Sequence, residues 1–374
     1  MVVFGTRPEA IKLAPVVLSL KKEKSLQTIV CSTGQHREML KQVLNIFNLD
    51  VDEDLQLMKP NQSLFDITSQ SIIKMEETLN KHQPDLVVVQ GDTTTAFTCA
   101  LSAFYKKIKV AHVEAGLRSY DMFHPYPEEA NRRFVSVISD FNFVPTRDSR
   151  DNLLNEGINQ KSIYLTGNTV VDALLMMKNK FRQKEYSKKL ENSLKEKLSI
   201  DIFDKKFILI TLHRREKFGE EMNQLLKAIL ELAKKYSHYN FIYPVHMNPN
   251  VSIPVKEILG GCSNIILTQP MNYQDFLFLM SRCHFLMSDS GGVQEECYVF
   301  KKPIIVLRTV TERNEAVKAG YAFLTGSNKN LITRRFKWID SKLKNGRNLF
   351  PRENPFGDGI SSSKIVRILK RSLT

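Results

Sequence analysis

The sequence predicts an α/β protein with two successive, doubly wound parallel sheets. Three observations carry this. Short continuous apolar runs such as Leu86-Val87-Val88-Val89 have the character of parallel strands buried on both faces. Runs of this kind end in small or polar residues, among them Gly5-Thr6, Gly91-Asp92 and Ser290-Gly291-Gly292, and a helical segment follows. The series breaks at a basic, polar stretch, 178–206, and restarts at Phe207. We therefore read 1–177 as a first domain, 178–353 as a second, and 354–374 as a C-terminal helix that crosses back onto the first.

Met1–Phe4 is a short strand, with a few residues expected ahead of it. Gly5-Thr6-Arg7-Pro8-Glu9 reads as a loop at its carboxyl end, where open α/β sheets bind ligands. Ala10–Lys22 is a helix, with Ile11, Ala14, Val17 and Leu18 on one face; Arg7 and Lys12 are close enough in sequence to reach one anion. A strand over Gln27–Ser32 leads to Gln35-His36-Arg37-Glu38, which opens a helix. Leu86–Val89 ends at Gly91-Asp92, and Lys109–Val113 ends at Glu114, so both acids sit at the carboxyl ends of successive strands. Pro125 and Pro127 stiffen the loop that leads into Glu128-Glu129. A carboxylate held stiffly beside two others is a way to force like charges together and raise a pKa. Acids at a helix start also favour its dipole, which accounts for at least one of this pair. Strands at Phe141–Val144 and Ile163–Thr166 precede a helix that runs from Gly167 through Met177.

The second series starts with Phe207–Thr211, which ends at His213. Asn240–Val245 ends at His246, and Ile265–Thr268 leads through Met271 to a helix over Tyr273–Ser281. Phe285–Met287 then runs into Ser288-Asp289-Ser290-Gly291-Gly292, with a helix from Val293. Strand, small-residue loop and helix N-terminus together make an oxyanion site, because free N–H groups and the helix dipole point the same way. Glu295 or Glu296, one turn in, could accept ribose hydroxyls. Ile304–Leu307 is the next strand, and Arg313 follows it in a loop.

The 374 residues are 42% hydrophobic and 25% charged, which is ordinary globular usage and enough for two domains. The net charge of +14 suits nucleic acid, acidic membrane surfaces or phosphorylated small molecules. No nucleic-acid motif is present, and the basic excess in 178–206 and 334–352 reads as solvated faces. Five scattered cysteines, none in a CxxC, fit reduced thiols in a cytoplasm rather than disulfides or a zinc site. No apolar stretch reaches the ~18 residues that a membrane span needs. Arg7, Glu9 and Lys12 interrupt the N-terminus as a signal peptide. Neither nucleic acid nor membrane is an expected partner.

Gly5-Thr6-Arg7-Pro8-Glu9, Gly91-Asp92-Thr93-Thr94-Thr95, His112-Val113-Glu114-Ala115-Gly116-Leu117-Arg118, Pro127-Glu128-Glu129-Ala130-Asn131-Arg132, His213-Arg214-Arg215-Glu216, Ser290-Gly291-Gly292-Val293-Gln294-Glu295-Glu296 and Thr311-Glu312-Arg313 occur in this order. Together they resemble the bacterial non-hydrolysing UDP-N-acetylglucosamine 2-epimerases, from residue 1 through Gly359. The resemblance implies two Rossmann-like domains of the GT-B, glycosyltransferase-like type, with a cleft between them, a homodimer, and no metal or nicotinamide cofactor. It implies reversible conversion of UDP-GlcNAc to UDP-ManNAc, feeding surface polysaccharide precursors, by anti elimination of UDP to a 2-acetamidoglucal and re-addition. Asp92, Glu114 and Glu128 would then be the acid/base groups, with His213 protonating the departing phosphate oxygen. Arg7, Lys12, Ser290, Gly291, Gly292 and Arg313 would hold the UDP phosphates, Glu296 the ribose, and Met271 and Phe276 the uracil. A second, activating UDP-GlcNAc would bind near Gln35, His36, Glu38, Arg215 and His246.

The chain departs from the family at Leu212, Thr309-Val310, Asn314 and Cys297–Lys301, all flanking the UDP side. Two other readings share much of the sequence pattern. A hydrolysing epimerase would release ManNAc and UDP. A GT-B glycosyltransferase would need an acceptor groove, and three carboxylates at the first domain's edge argue against it.

Overall fold

The structure, a computed structural model, describes residues 1–34, 37–58, 62–198 and 201–373, with backbone only for 37–39. The chain divides into two compact units, Met1–Ala173 with Phe356–Thr374, and Leu174–Pro355. Each holds one all-parallel sheet. The first comprises β1 (Val2–Phe4), β2 (Val30–Ser32), β3 (Glu53–Asp54), β4 (Leu86–Gln90), β5 (Lys109–Val113), β6 (Phe141–Val144) and β7 (Ile163–Leu165), in the order β3-β2-β1-β4-β5-β6-β7. The second comprises β8 (Phe207–Thr211), β9 (Asn240–Pro244), β10 (Ile265–Thr268), β11 (Phe285–Ser288), β12 (Ile304–Val306) and β13 (Ala322–Leu324), in the order β10-β9-β8-β11-β12-β13. Both orders reverse direction beside the first strand. That reversal opens a crevice at the carboxyl edge of an open sheet. The Val-rich β4 is buried along its whole length, as its continuous apolar run requires.

Two local expectations are corrected. Gly5–Glu9 is not all loop, because the first helix spans Arg7–Lys21. Thr6 caps it, Pro8 lies in its first turn, and the Glu9 carboxylate accepts in return from the Thr6 N–H, closing a capping box. The helix expected to stop at Met177 continues to Arg182, and a second one covers Lys184–Leu198. That helix is amphipathic: Ser187, Leu190 and Leu194 are buried on one face and the charges lie on the other.

The C-terminal segment belongs to the first unit. Asn168 N–H donates to the Phe356 carbonyl at 2.8 Å, beside a close pass of Gly357 against Gly167, both at positive φ. A Cβ on Gly357 would lie 3.0 Å from the Gly167 Cα, so neither position tolerates a side chain. The Ser361–Leu373 helix then packs along the Arg7–Lys21 helix. Its start is capped by buried Asp172, which accepts from the Ser361 and Ser362 N–H groups at 3.2 and 2.8 Å and from the Ser362 hydroxyl at 2.7 Å. Asp172→Ala is expected to lower stability by about 2 kcal/mol. Urea denaturation of the two proteins measures this, and equal midpoints would remove the cap from the account.

Candidate active site

In the first unit, Asp92 and Glu114 leave the adjacent strands β4 and β5. Glu114 is buried and sits at φ +65°, in the left-handed region that side chains other than Gly avoid. Such strain costs on the order of 1 kcal/mol and persists where surrounding contacts fix it. Here Lys12 Nζ lies 2.5 Å and Gln90 Nε2 lies 2.6 Å from Glu114 Oε2. The Lys12 expected to reach a ligand therefore holds Glu114 within this unit. Asp92 is paired with Arg132, and its carbonyl accepts from Asn131 Nδ2 at 3.0 Å. Arg132 also reaches Glu129 at 3.2 Å.

The adjacent acids Glu128 and Glu129 separate clearly. The Glu129 side chain is fully buried; it accepts from Ser119 N–H at 2.9 Å and from Arg133 at 3.2 Å, so it is structural. Glu128 is half-buried, and its Oε2 has no hydrogen-bond partner. Glu128 thus opens the helix whose next turn holds Asp92. Arg7 is half-buried beside the Gly5 turn and has no ion-pair partner among the described residues.

Two residues that sequence reasoning did not single out shape this edge. Glu9 accepts from Gly5 N–H at 2.9 Å, Thr6 N–H at 2.6 Å and Thr93 Oγ1 at 2.6 Å, tying the loop after β1 to the one after β4. Burial raises its pKa against these hydrogen bonds. His112, buried in β5, donates from Nε2 to the Gly91 carbonyl at 2.7 Å and supports the turn that carries Asp92. A capping box is readable from sequence; the Thr93 contact, 84 residues away, is not.

In the second unit, fully buried Asp289 accepts from the His213 and Arg214 N–H groups, both at 3.0 Å. Its other oxygen lies 3.3 Å from His213 Nδ1. Burial lowers the His213 pKa, and Asp289 opposes that shift. His213 stacks at 6.1 Å on the ring of His246. Arg215 is exposed in the following turn. The helix expected from Val293 starts two residues earlier: it spans Gly291–Val299, with Ser290 at its N-cap making no side-chain cap. A Cβ on Gly292 would meet nothing within 4 Å, while one on Gly291 would lie 3.7 Å from Arg214 Nη2 and 3.8 Å from Glu312 Oε2. These features give an open helix N-terminus, suited to a phosphate.

Arg313 is paired with buried Glu295, which sorts the two acids: Glu295 is held inside and Glu296 is half-buried. Arg308 grips Glu312 through two bonds of 2.9 and 3.0 Å. Burial pushes the Glu312 pKa up, but the Arg308 pair and nearby Arg214 outweigh it and hold it at about 2. Met271 and Phe276 are half-buried at the turn and first helical turn after β10. Gln35 and His36 lie outside the described residues, as does the side chain of Glu38. The departing positions divide as well. Leu212 and Tyr298 are core residues, Tyr298 packing on Tyr321 and Phe350, whereas Thr309, Val310 and Asn314 are exposed.

Residues 18–370 match the family model described as UDP-N-acetylglucosamine 2-epimerase. The chain belongs to that family. It is 47% identical over 371 residues to a Campylobacter jejuni UDP-N-acetylglucosamine 2-epimerase, covering 99% of this chain and 96% of the relative. The crystal structure of the Neisseria meningitidis UDP-GlcNAc 2-epimerase bound to UDP-GlcNAc superposes with a TM-score of 0.90 at 46% identity, covering 99% of each chain. The Methanocaldococcus jannaschii epimerase in complex with UDP-GlcNAc and UDP superposes with a TM-score of 0.82 at 34% identity, covering 99% of each chain. The architecture is thus the GT-B-like one of these epimerases. Within that fold, His112 is a pH-sensitive support of the first cluster. Burial pushes its pKa down to about 4, so the folded protein keeps it neutral while the unfolded chain protonates near 6.5. Its contribution is present above pH 6.5 and is lost as the pH falls to 4, by about 3 kcal/mol. Unfolding free energies across this window should fall less steeply for His112→Asn than for the wild type; parallel curves would contradict this.

Proposed function

We propose that the protein interconverts UDP-GlcNAc and UDP-ManNAc without releasing the sugar. The observation that carries this reading is the carboxylate edge of the first unit. Asp92 and Glu114 leave neighbouring strands, and Glu128 opens the helix that holds Asp92. Inversion at C2 needs one group to take the proton from one face and another to return it to the opposite face. As the C2–H bond breaks, its electron pair forms the C1–C2 double bond and the C1–O bond to UDP breaks. Re-addition of UDP oxygen to C1, with protonation of C2 from the other face, gives the epimer. Glu128, whose buried Oε2 has no hydrogen-bond partner, would exchange the proton, with Lys12 and Arg132 keeping Glu114 and Asp92 oriented.

The second unit would serve the leaving UDP. The open N-terminus at Ser290, Gly291 and Gly292 and the side chain of Arg313 take its phosphates, Glu296 the ribose, and Met271 with Phe276 the uracil. His213, held by Asp289, gives the phosphate oxygen its proton. Arg215 and His246, beside it, form the described part of an activating UDP-GlcNAc site. The five free cysteines suit a cytoplasmic enzyme.

We further propose a homodimer. Among the described residues, Phe65 (87% exposed), Ile73, Phe104, Tyr105, Phe134 and Val137 stand out to solvent on Leu64–His82, Thr94–Tyr105 and Glu128–Ile138. These helices pack side by side, and a contiguous apolar face of this kind marks a protein interface. A second copy supplies a matching face through twofold symmetry.

Incubation with UDP-GlcNAc and separation of the products tests the reaction. UDP-ManNAc with no free ManNAc supports the proposal, and ManNAc with UDP selects the hydrolysing alternative. Asp92→Asn, Glu114→Gln and Glu128→Gln should each reduce turnover by about 10²-fold or more. Near-native turnover in any one removes it from the acid/base set. Phe134→Asp with Val137→Asp should sediment as a monomer where the wild type sediments as a dimer; an unchanged distribution refutes that face.

A further inference from the structure

The Lys329–Lys344 helix carries strongly one-sided charge. Its inner residues Ile332, Phe336 and Ile339 are buried in the core of the second unit. Its single carboxylate, Asp340, is buried against Tyr239, His284 and Lys344. The outer face therefore presents cations alone, set around Trp338, which is 37% exposed. The indole meets Phe323 edge-on at 5.3 Å, and Lys342 Nζ lies 5.4 Å from its centroid.

Between this helix and the Glu220–Lys235 helix lies a groove of about 720 Å³. Leu232, Lys235, Arg334, Lys337, Trp338 and Lys342 line it. The one carboxylate of the lining, Glu231, is already paired with Lys329 at 2.6 Å. Lys235, Arg334 and Lys337 have no ion-pair partner among the described residues. A merely solvated basic face needs no recess with an indole in its wall.

We propose that this groove binds an acidic peptide segment of a partner protein, which sets an apolar side chain against Trp338 and its carboxylates on Lys235, Arg334 and Lys337. The sign of the rim selects the anion. Concavity selects the peptide: a side chain enters a recess of this volume, whereas a flat bilayer surface meets only its rim. Nucleic acid is disfavoured because a single indole offers no succession of stacking platforms.

Trp338 is the only tryptophan of the chain, so its emission reports on the groove directly. Displayed random peptides without tryptophan would be selected on the full-length protein, and the enriched ones synthesised and titrated. Acidic peptides with an aromatic or aliphatic residue should be enriched and should shift Trp338 emission. Their Kd should rise about tenfold or more in an Arg334→Glu, Lys337→Glu double variant. Unchanged turnover of UDP-GlcNAc by that variant, or an unchanged circular dichroism spectrum, verifies its fold. Absence of acidic enrichment, or equal binding by the double variant, would overturn the proposal. An emission shift with phosphatidylglycerol vesicles but none with the selected peptides would also overturn it, in favour of a lipid surface.

Discussion

Each sheet edge depends on a buried carboxylate that gathers backbone N–H groups from a loop. Glu9 does this in the first unit, holding the Gly5 and Thr6 amides and the Thr93 hydroxyl. Asp289 does it in the second, holding the His213 and Arg214 amides. A parallel sheet brings its loops to one edge, but it does not fix their shape. A buried acid without partners is costly, and several N–H donors offset that cost only in one loop geometry. The two carboxylates thereby turn flexible strand ends into rigid platforms, and the residues with chemistry stand on those platforms.

Rigidity matters because the chemistry proposed for the first edge works with groups of like charge. Asp92 and Glu114 each have a cation, Arg132 and Lys12, within ion-pairing distance. This lets two acids remain at neighbouring strand ends without mutual repulsion dominating. Glu114 accepts a left-handed backbone to place its side chain there. The second edge offers an uncapped helix N-terminus and the Arg214 guanidinium beside Gly291 to negative charge in the ligand, while Arg308 neutralises the nearby Glu312 carboxylate. The division of labour follows from these local charges.

Much of the fold was legible because apolar runs and glycine turns report parallel strands directly. The helix within the 178–206 stretch was not legible, because charge density masks a buried stripe of only Ser187, Leu190 and Leu194. Positions at strand ends, such as Asp92, Glu114 and His213, were visible from their place in the pattern. Partners were not. Nothing local distinguishes Glu128 from Glu129 or Glu295 from Glu296; burial and the reach of Arg132, Arg133 and Arg313 separate them. Glu9 and Asp289 were quoted within motifs, yet their structural role depends on amides brought by the tertiary fold.

The central claim is that this chain removes and returns the proton at C2 of the sugar. Proton NMR of UDP-GlcNAc incubated with the protein in D2O tests it most directly. The account predicts loss of the H2 resonance through deuterium incorporation as UDP-ManNAc appears. Epimer formed with the original C2 proton retained, or no exchange and no epimer with the folded protein, would contradict it.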